Sequence, residues 1–236
     1  MKRTSLSLVL LFTVLVLSGC QQSEKKELLL NALFTDHMVL QQKKEVAFWG
    51  SYTPNEEITV HGSWGSESTC VADAFGQWKL SIATPKAGGP YEVTIRTKST
   101  TISIKDVLIG EVWLASGQSN MEMDFDYCCN TTDFSELERA TANYPNIRMI
   151  NVKKQLSLTP VQEFEGTWKQ AIGDSIINFS AAGYFFAKRL HKKLNVPIGI
   201  IHASWGGTDI EAWTSRAKLS TLDVLDDTMS NYGALI

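Results

Sequence analysis

Two short segments carry residue types and spacings suited to covalent catalysis. Ser119 stands in Gly117-Gln118-Ser119-Asn120-Met121, directly after an apolar run that ends near Ala115. A small residue before Ser119, here Gly117, permits a sharp turn, which lifts the hydroxyl out of a sheet edge toward solvent. A short helix starting near Ser119 would add free N–H groups and a dipole that favour developing negative charge. The spacing differs from the Gly-x-Ser-x-Gly elbow, because Met121 holds the last position. The plain alternative is a strand-to-helix turn in which Ser119 is only an N-cap. The second segment is Ser204-Trp205-Gly206-Gly207-Thr208, again at the end of an apolar run. A glycine pair there lets backbone approach a ligand and offers N–H donors; the alternative is a tight turn requiring positive φ. Together the two turns read as a nucleophile paired with an oxyanion hole.

Such turns need a sheet to hold them side by side. Val107 to Ala115 is a nearly continuous apolar run, the pattern of a strand buried on both faces of a parallel sheet. Phe134 to Asn143 predicts a helix with Ser135 as its cap, and Asn146 to Val152 a strand. Ser180 predicts the cap of a helix running to about Leu194, with Phe185, Phe186 and Leu190 on one face and Lys192 and Lys193 in its last turn. Ile198 to Ser204 is a third buried strand. Strands alternating with helices imply an α/β domain with a mainly parallel sheet, whose site lies at the carboxyl ends of its strands. Upstream, residues 29–105 carry short alternating segments at about 8–12-residue spacing with turns between them, the pattern of a small all-β sandwich. Gly88-Gly89-Pro90 reads there as a loop.

Weaker candidates surround these. Glu122, Asp124 and Asp126 form an acidic run that reads as a solvated helix start, with no loop spacing for calcium. Trp205 and Trp213 suit either stacking on a sugar ring or buried packing. Cys70, Cys128 and Cys129 are an odd set without Cys-x-x-Cys spacing, and read as free or locally paired.

The stretch Gly110-Glu111-Val112-Trp113-Leu114-Ala115-Ser116-Gly117-Gln118-Ser119-Asn120-Met121-Glu122-Met123 resembles the first conserved block of the sialate O-acetylesterase-type carbohydrate esterases of the SGNH hydrolase superfamily. Ser204-Trp205-Gly206-Gly207-Thr208 with Ile210-Glu211-Ala212-Trp213 resembles the second. Leu33-Phe34-Thr35-Asp36-His37-Met38-Val39-Leu40-Gln41 resembles the opening of the β domain that precedes the catalytic domain in these proteins. The resemblance implies an SGNH-type three-layer α/β domain over residues 106–236, after a β-sandwich over 29–105. It implies Ser119 as nucleophile and the N–H groups of Ser119 and of Gly206 or Gly207 as oxyanion donors. Gln118, Asn120, Trp205 and Thr208 flank these and are the implied substrate contacts. The implied reaction is hydrolysis of an acetyl ester on a sugar, most simply a sialate 9-O-acetyl ester, without metal or cofactor. An acetyl-xylan or other plant-glycan esterase, and a non-catalytic carbohydrate-binding fragment, are the competing readings.

The family's Asn-bearing third block and its late Asp-x-x-His block are not found, and the chain reads as truncated, with both expected beyond residue 236. Serine needs a base to become a strong nucleophile. None of the four histidines is a good substitute: His37 lies in the β-domain motif, His61 in a strand, His191 on a helix, and His202 inside a strand, pointing to the core.

With 44% hydrophobic and 20% charged residues, the chain can bury a core and is not a disordered polymer. A net charge of −3 excludes a basic footprint for nucleic acid. Residues 1–20 read as a lipoprotein signal: Lys2 and Arg3, the apolar run Leu6 to Leu17, then Leu17-Ser18-Gly19-Cys20, which resembles the bacterial lipobox. Cys20 would carry lipid, with residues 21–28 as a tether, giving an exported bacterial protein anchored on a membrane and facing the periplasm or cell surface. A plain secretory signal cut near Gly19 is the alternative.

Overall fold

The computed structural model describes residues 27–125, 133–157 and 159–222. Cys20 and the rest of the leader, Asp126, Cys128 and Cys129 lie outside the described residues.

The first part is β throughout its described elements. A three-stranded antiparallel sheet has the order β1 (Leu29–Leu30), β3 (Glu45–Ser51), β6 (Gln77–Ala83). Strands β4 (Glu57–Gly62), β5 (Glu67–Val71) and β7 (Gly88–Arg96) belong to a second sheet with β8 (Thr101–Gly117). Strict alternation in β6, with Trp78, Leu80 and Ile82 buried and their neighbours exposed, is why this sheet has one core face. Phe48, Ile58, Val60, Ile82 and Ile95 meet in that core. Gly88-Gly89-Pro90, expected as a loop, instead opens β7. The pairing of β7 with β8 shifts register between Gly88 and Tyr91 and again before Val93, so the glycines are absorbed as an irregular strand end.

The second sheet does not stop where the β part ends. β8 runs unbroken from Thr101 to Gly117, so the boundary expected between residues 105 and 106 falls inside one strand. Beyond it β8 pairs in parallel with β11 (Ile198–Ser204), which pairs in parallel with β9 (Asn143–Asn151); the short β10 (Lys169–Ile172) closes the edge antiparallel to β9. This is the expected α/β arrangement, a mainly parallel sheet preceded by a β region. Helix α1 (Ser119–Glu122) follows β8, α2 (Asp133–Thr141) precedes β9, and α3 (Ala181–Leu194) precedes β11. Ile147, Met149, Ile198 and Ile200 pack with Tyr184 and Ala187 of α3 in a second core. The two-faced burial expected of β8 holds from Val107 to Gly110. Farther along, Trp113 and Leu114 are 45% and 66% exposed, with Phe186 packing edge-on against the Trp113 ring.

Helix α3 forms where its cap signals put it. Ser180 Oγ accepts the Gly183 N–H at 3.0 Å, and Asn195 ends the helix in the left-handed region at φ 53°. Ser180 is fully buried, so Ser180→Ala is expected to cost about 1–2 kcal/mol, read as a shift in the urea midpoint. An unchanged midpoint would mean that the cap contributes nothing.

The junction between the two parts is built by the segment that opens the β region. Asp36 Oδ1 accepts the Lys105 N–H at 2.7 Å, and Met38 is fully buried beneath it. Strand β2 (Val39–Gln41) lies parallel to β8. Gln41 and Gln42 donate their amides to the Glu111 carboxylate at 3.0 and 2.7 Å, and Gln41 Oε1 accepts the Val112 N–H. Asp106, at φ 53°, adopts a left-handed conformation that Asp tolerates better than most residues. Its carboxylate accepts from His37 Nδ1 at 2.6 Å and Arg148 Nη1 at 2.7 Å.

Candidate active site

The sheet register brings the two sequence signals together. β11 lies beside β8 with Ser204 opposite Gly117, and the Trp205 N–H donates to the Gly117 carbonyl at 3.0 Å. Gly117 turns the chain out of β8 at φ 136°, a conformation side chains rarely adopt. Two residues later α1 begins, its first turn closed by Met121 and Glu122 N–H groups on the Gln118 carbonyl at 2.9 Å. Ser119 is exposed, and its hydroxyl makes one long hydrogen bond, 3.3 Å, to Gln118 Oε1. The hydroxyl thus stands clear at the carboxyl end of a buried strand, as the turn chemistry requires.

Gly206 lies closest to it in the second turn. A methyl built on Gly206 would sit 3.5 Å from Ser119 Oγ and 3.6 Å from Ser119 Cα. Gly207, at φ 76°, is exposed, and a methyl there would meet nothing within 4 Å. Of the two glycines, the structure brings Gly206 against Ser119. Gln118 and Asn120 are exposed beside the hydroxyl. Thr208 is occupied within its own turn: it donates to the Trp205 carbonyl at 2.6 Å and accepts from Trp213 Nε1 at 2.7 Å. Thr208 and Trp213 therefore brace the glycine turn.

Sequence reasoning missed the role of Glu122. Read as part of a solvated run, it is instead half-buried between the two turns. Its Oε2 accepts the Gly206 N–H, and its Oε1 pairs with Lys154 Nζ, which also lies 5.6 Å from the centre of the Trp205 ring. The spacing held a signal: Glu122 is three residues after Ser119, so one helical turn puts both on the same side. Lys154 is 32 residues away, and no local pattern ties it to Glu122. Asp124 bridges to Ser180 instead.

His202 is buried, as expected, and is fully engaged beneath the turns. Its Nδ1–H donates to Asn151 Oδ1 at 2.9 Å, and its Nε2 accepts from the Ser204 hydroxyl. Burial pushes its pKa below the ordinary histidine range, with Lys154 adding to the effect; the Met121 backbone, as a hydrogen-bond acceptor, and the Asp124 charge oppose it. It is a neutral side chain holding β9 and β11 together. His37 and His191 are bonded to Asp106 and to the Val196 carbonyl. Among the described residues, no histidine hydrogen-bonds Ser119. No cluster of three or more His, Cys, Asp or Glu suited to a metal occurs among the described residues.

Residues 109–234 match the family model described as carbohydrate esterase, sialic acid-specific acetylesterase. The sialate O-acetylesterase of Mus musculus is 35% identical over 207 residues, covering 80% of this chain and 38% of the mouse protein. That of Homo sapiens is 34% identical, covering 79% and 39%. A solved carbohydrate acetylesterase from Xanthomonas citri superposes with a TM-score of 0.76 at 38% identity, covering 82% of this chain and 44% of that one. The chain thus spans 38–39% of the length of these mammalian relatives. The match takes in both turns, Ser119 and Gly206 included, and over half of the sequence: the chain belongs to the sialic acid-specific acetylesterase family of carbohydrate esterases.

Proposed function

We propose that the protein hydrolyses O-acetyl esters on carbohydrates, sialate 9-O-acetyl esters first among them, with Ser119 as nucleophile. The observation that carries this reading is the exposed Ser119 hydroxyl held beside Gly206 at the ends of two parallel strands. Ser119 Oγ attacks the acetyl carbonyl carbon and its proton passes to a base. The Ser119 and Gly206 N–H groups hold the resulting oxyanion, which collapses and expels the sugar oxygen with a proton. Water then attacks the acetyl–Ser119 ester by the same path and releases acetate. No step calls for a metal or cofactor. Among the described residues no histidine ring nitrogen hydrogen-bonds Ser119, so this reading gives the role of base to none of His37, His61, His191 and His202.

Glu122 competes for one of the two donors. Its carboxylate accepts the Gly206 N–H and keeps the glycine turn close to α1. Substrate must take that N–H, leaving Glu122 with Lys154.

The test is acetate release by the full polypeptide from 9-O-acetylated sialic acid and from acetylated xylo-oligosaccharide. Faster release from the sialate is expected. Preference for the xylo-oligosaccharide would reassign the substrate, and release from neither would overturn the esterase. A second test addresses the oxyanion donor. Gly206→Ala puts a methyl 2.5 Å from Glu122 Oε2, the movable end of a side chain, and 3.5 Å from Ser119 Oγ. The N–H is kept, so stability is expected to hold, but the methyl crowds the space before Ser119 Oγ and displaces the bound ester, and kcat/KM is expected to fall about 100-fold. Undiminished turnover would remove Gly206 from the site.

A further inference from the structure

Glu122 joins the two turns, and both of its oxygens are engaged there. Oε2 accepts the N–H of Gly206, 84 residues away, and Oε1 takes the Lys154 ammonium. That ammonium also lies 5.6 Å from the centre of the Trp205 ring, within reach of its π face. A Cβ added to Gly206 would stand 2.5 Å from Glu122 Oε2 and 3.5 Å from Ser119 Oγ. Carboxylate and hydroxyl therefore border one methyl-sized space, which stays open because residue 206 is glycine. Beside the Ser119 hydroxyl the fold has assembled the donors a carboxylate needs, one backbone N–H and one ammonium, and a carboxylate fills them.

The occupant belongs to the chain itself. Glu122 stands three residues after Ser119 on one helical turn, so it competes at an effective concentration on the order of millimolar or above. A free carboxylate would suit the same two donors, since charge-assisted hydrogen bonds are roughly twice as strong as neutral ones. In the proposed reaction the carboxylate that arises at this spot is acetate. An ester is uncharged and calls only on the Gly206 N–H, so Glu122 can yield that donor and keep Lys154. Acetate calls on both donors and meets Glu122 at each.

We propose that Gly206 and Lys154 form a binding site for small carboxylates and that Glu122, by filling it, excludes the acetate the reaction releases. The consequence for turnover rests on the proposed role of Gly206 as an oxyanion donor; the binding does not. A strut that merely tied the glycine turn to α1 would stabilise the fold and leave acetate binding unaltered.

The experiment titrates sodium acetate into the full polypeptide and follows the Gly206 amide and Trp205 indole ¹⁵N–¹H resonances. Sodium chloride at equal ionic strength and free sialic acid are run beside it. In Glu122→Ala both resonances are expected to move saturably with acetate, at a Kd at least about tenfold below that of the parent protein. Lys154→Met added to Glu122→Ala removes the ammonium and is expected to weaken acetate about tenfold. Glu122→Gln keeps the shape of the side chain without its charge, and is expected to change acetate binding in the same direction by a smaller factor; it decides the matter if the alanine variant fails to fold. Hydrolysis of 4-nitrophenyl acetate should become sensitive to added acetate in the Glu122 variants at concentrations that leave the parent unaffected. The proposal is overturned if acetate binds parent and variants alike or binds none of them, or if chloride moves the resonances as far. It is also overturned if free sialic acid binds and acetate does not, or if Lys154→Met leaves acetate binding unchanged. Acetate binding in the variants without inhibition would establish the site and count instead against Gly206 as an oxyanion donor.

Discussion

Ser119→Ala is expected to lower kcat for acetate release by about a thousandfold or more, with KM within a few-fold of the parent value. The asymmetry follows from where the hydroxyl sits. Ser119 is exposed and its Oγ makes only a 3.3 Å contact with Gln118, so removing one oxygen leaves the turn and the sugar-facing surface as they were. What disappears is the atom that, in the proposed reaction, forms the covalent bond. The oxyanion donors remain, so a small residual rate should persist. Ser204→Ala is the matching control: this serine is buried and bonded to His202, and its loss should lower stability far more than turnover. Should Ser119→Ala retain most of its activity while Ser204→Ala loses it, the nucleophile has been placed in the wrong turn.

The largest effect on stability is expected at Asp106. Arg148 is 3% exposed, and its guanidinium is satisfied by the Pro145 carbonyl at 2.6 Å and the Asp106 carboxylate at 2.7 Å. Asp106→Asn keeps the size and the tolerance of positive φ, but leaves a buried cation without its counter-charge. Breaking such a pair from one side costs about 3–5 kcal/mol when both partners are buried; with Asp106 about one-third exposed, about 3 kcal/mol is expected. A urea midpoint within error of the parent would refute it. The same carboxylate sets an acid limit. Burial alone would raise its pKa, but hydrogen bonds and charge from Arg148 and His37 outweigh burial and hold it below the usual carboxylate range. A depressed folded pKa means this stabilisation is complete above the unfolded value of about 3.9 and is lost as pH falls through the folded value. Glu138, held low by Lys188 and Tyr184 against its own burial, acts in the same direction. Stability should therefore fall below about pH 4, and less steeply in Asp106→Asn.

Local signals were the legible ones. Ser180 and the lysines of the last turn marked both ends of α3, and the apolar run from Ile198 to Ser204 is β11 residue for residue. Both turns could be read because each carries a glycine at a strand end, Gly117 two residues before Ser119 and Gly206 directly after Trp205. The junction was legible only as a resemblance. Asp36, His37 and Gln41 work on Lys105, Asp106 and Val112, partners 69 to 71 residues away, and no window along the chain displays such pairings. For the same reason β8 was divided in two: a polar Lys105-Asp106 pair looks like a break between strands, whereas Asp106 is a kink paired to a buried arginine. Glu122 was misjudged because charge beside a helix start usually faces water; here Lys154 and the Gly206 N–H supply the partners that permit its partial burial.

The most direct test is covalent capture at the turn. The full polypeptide is treated with a fluorophosphonate, digested and mapped by mass spectrometry, beside Ser119→Ala. One adduct per chain on the peptide bearing Ser119, absent from the variant, is the predicted result. An unmodified Ser119 in polypeptide that releases acetate, or an adduct that persists in Ser119→Ala, would contradict it.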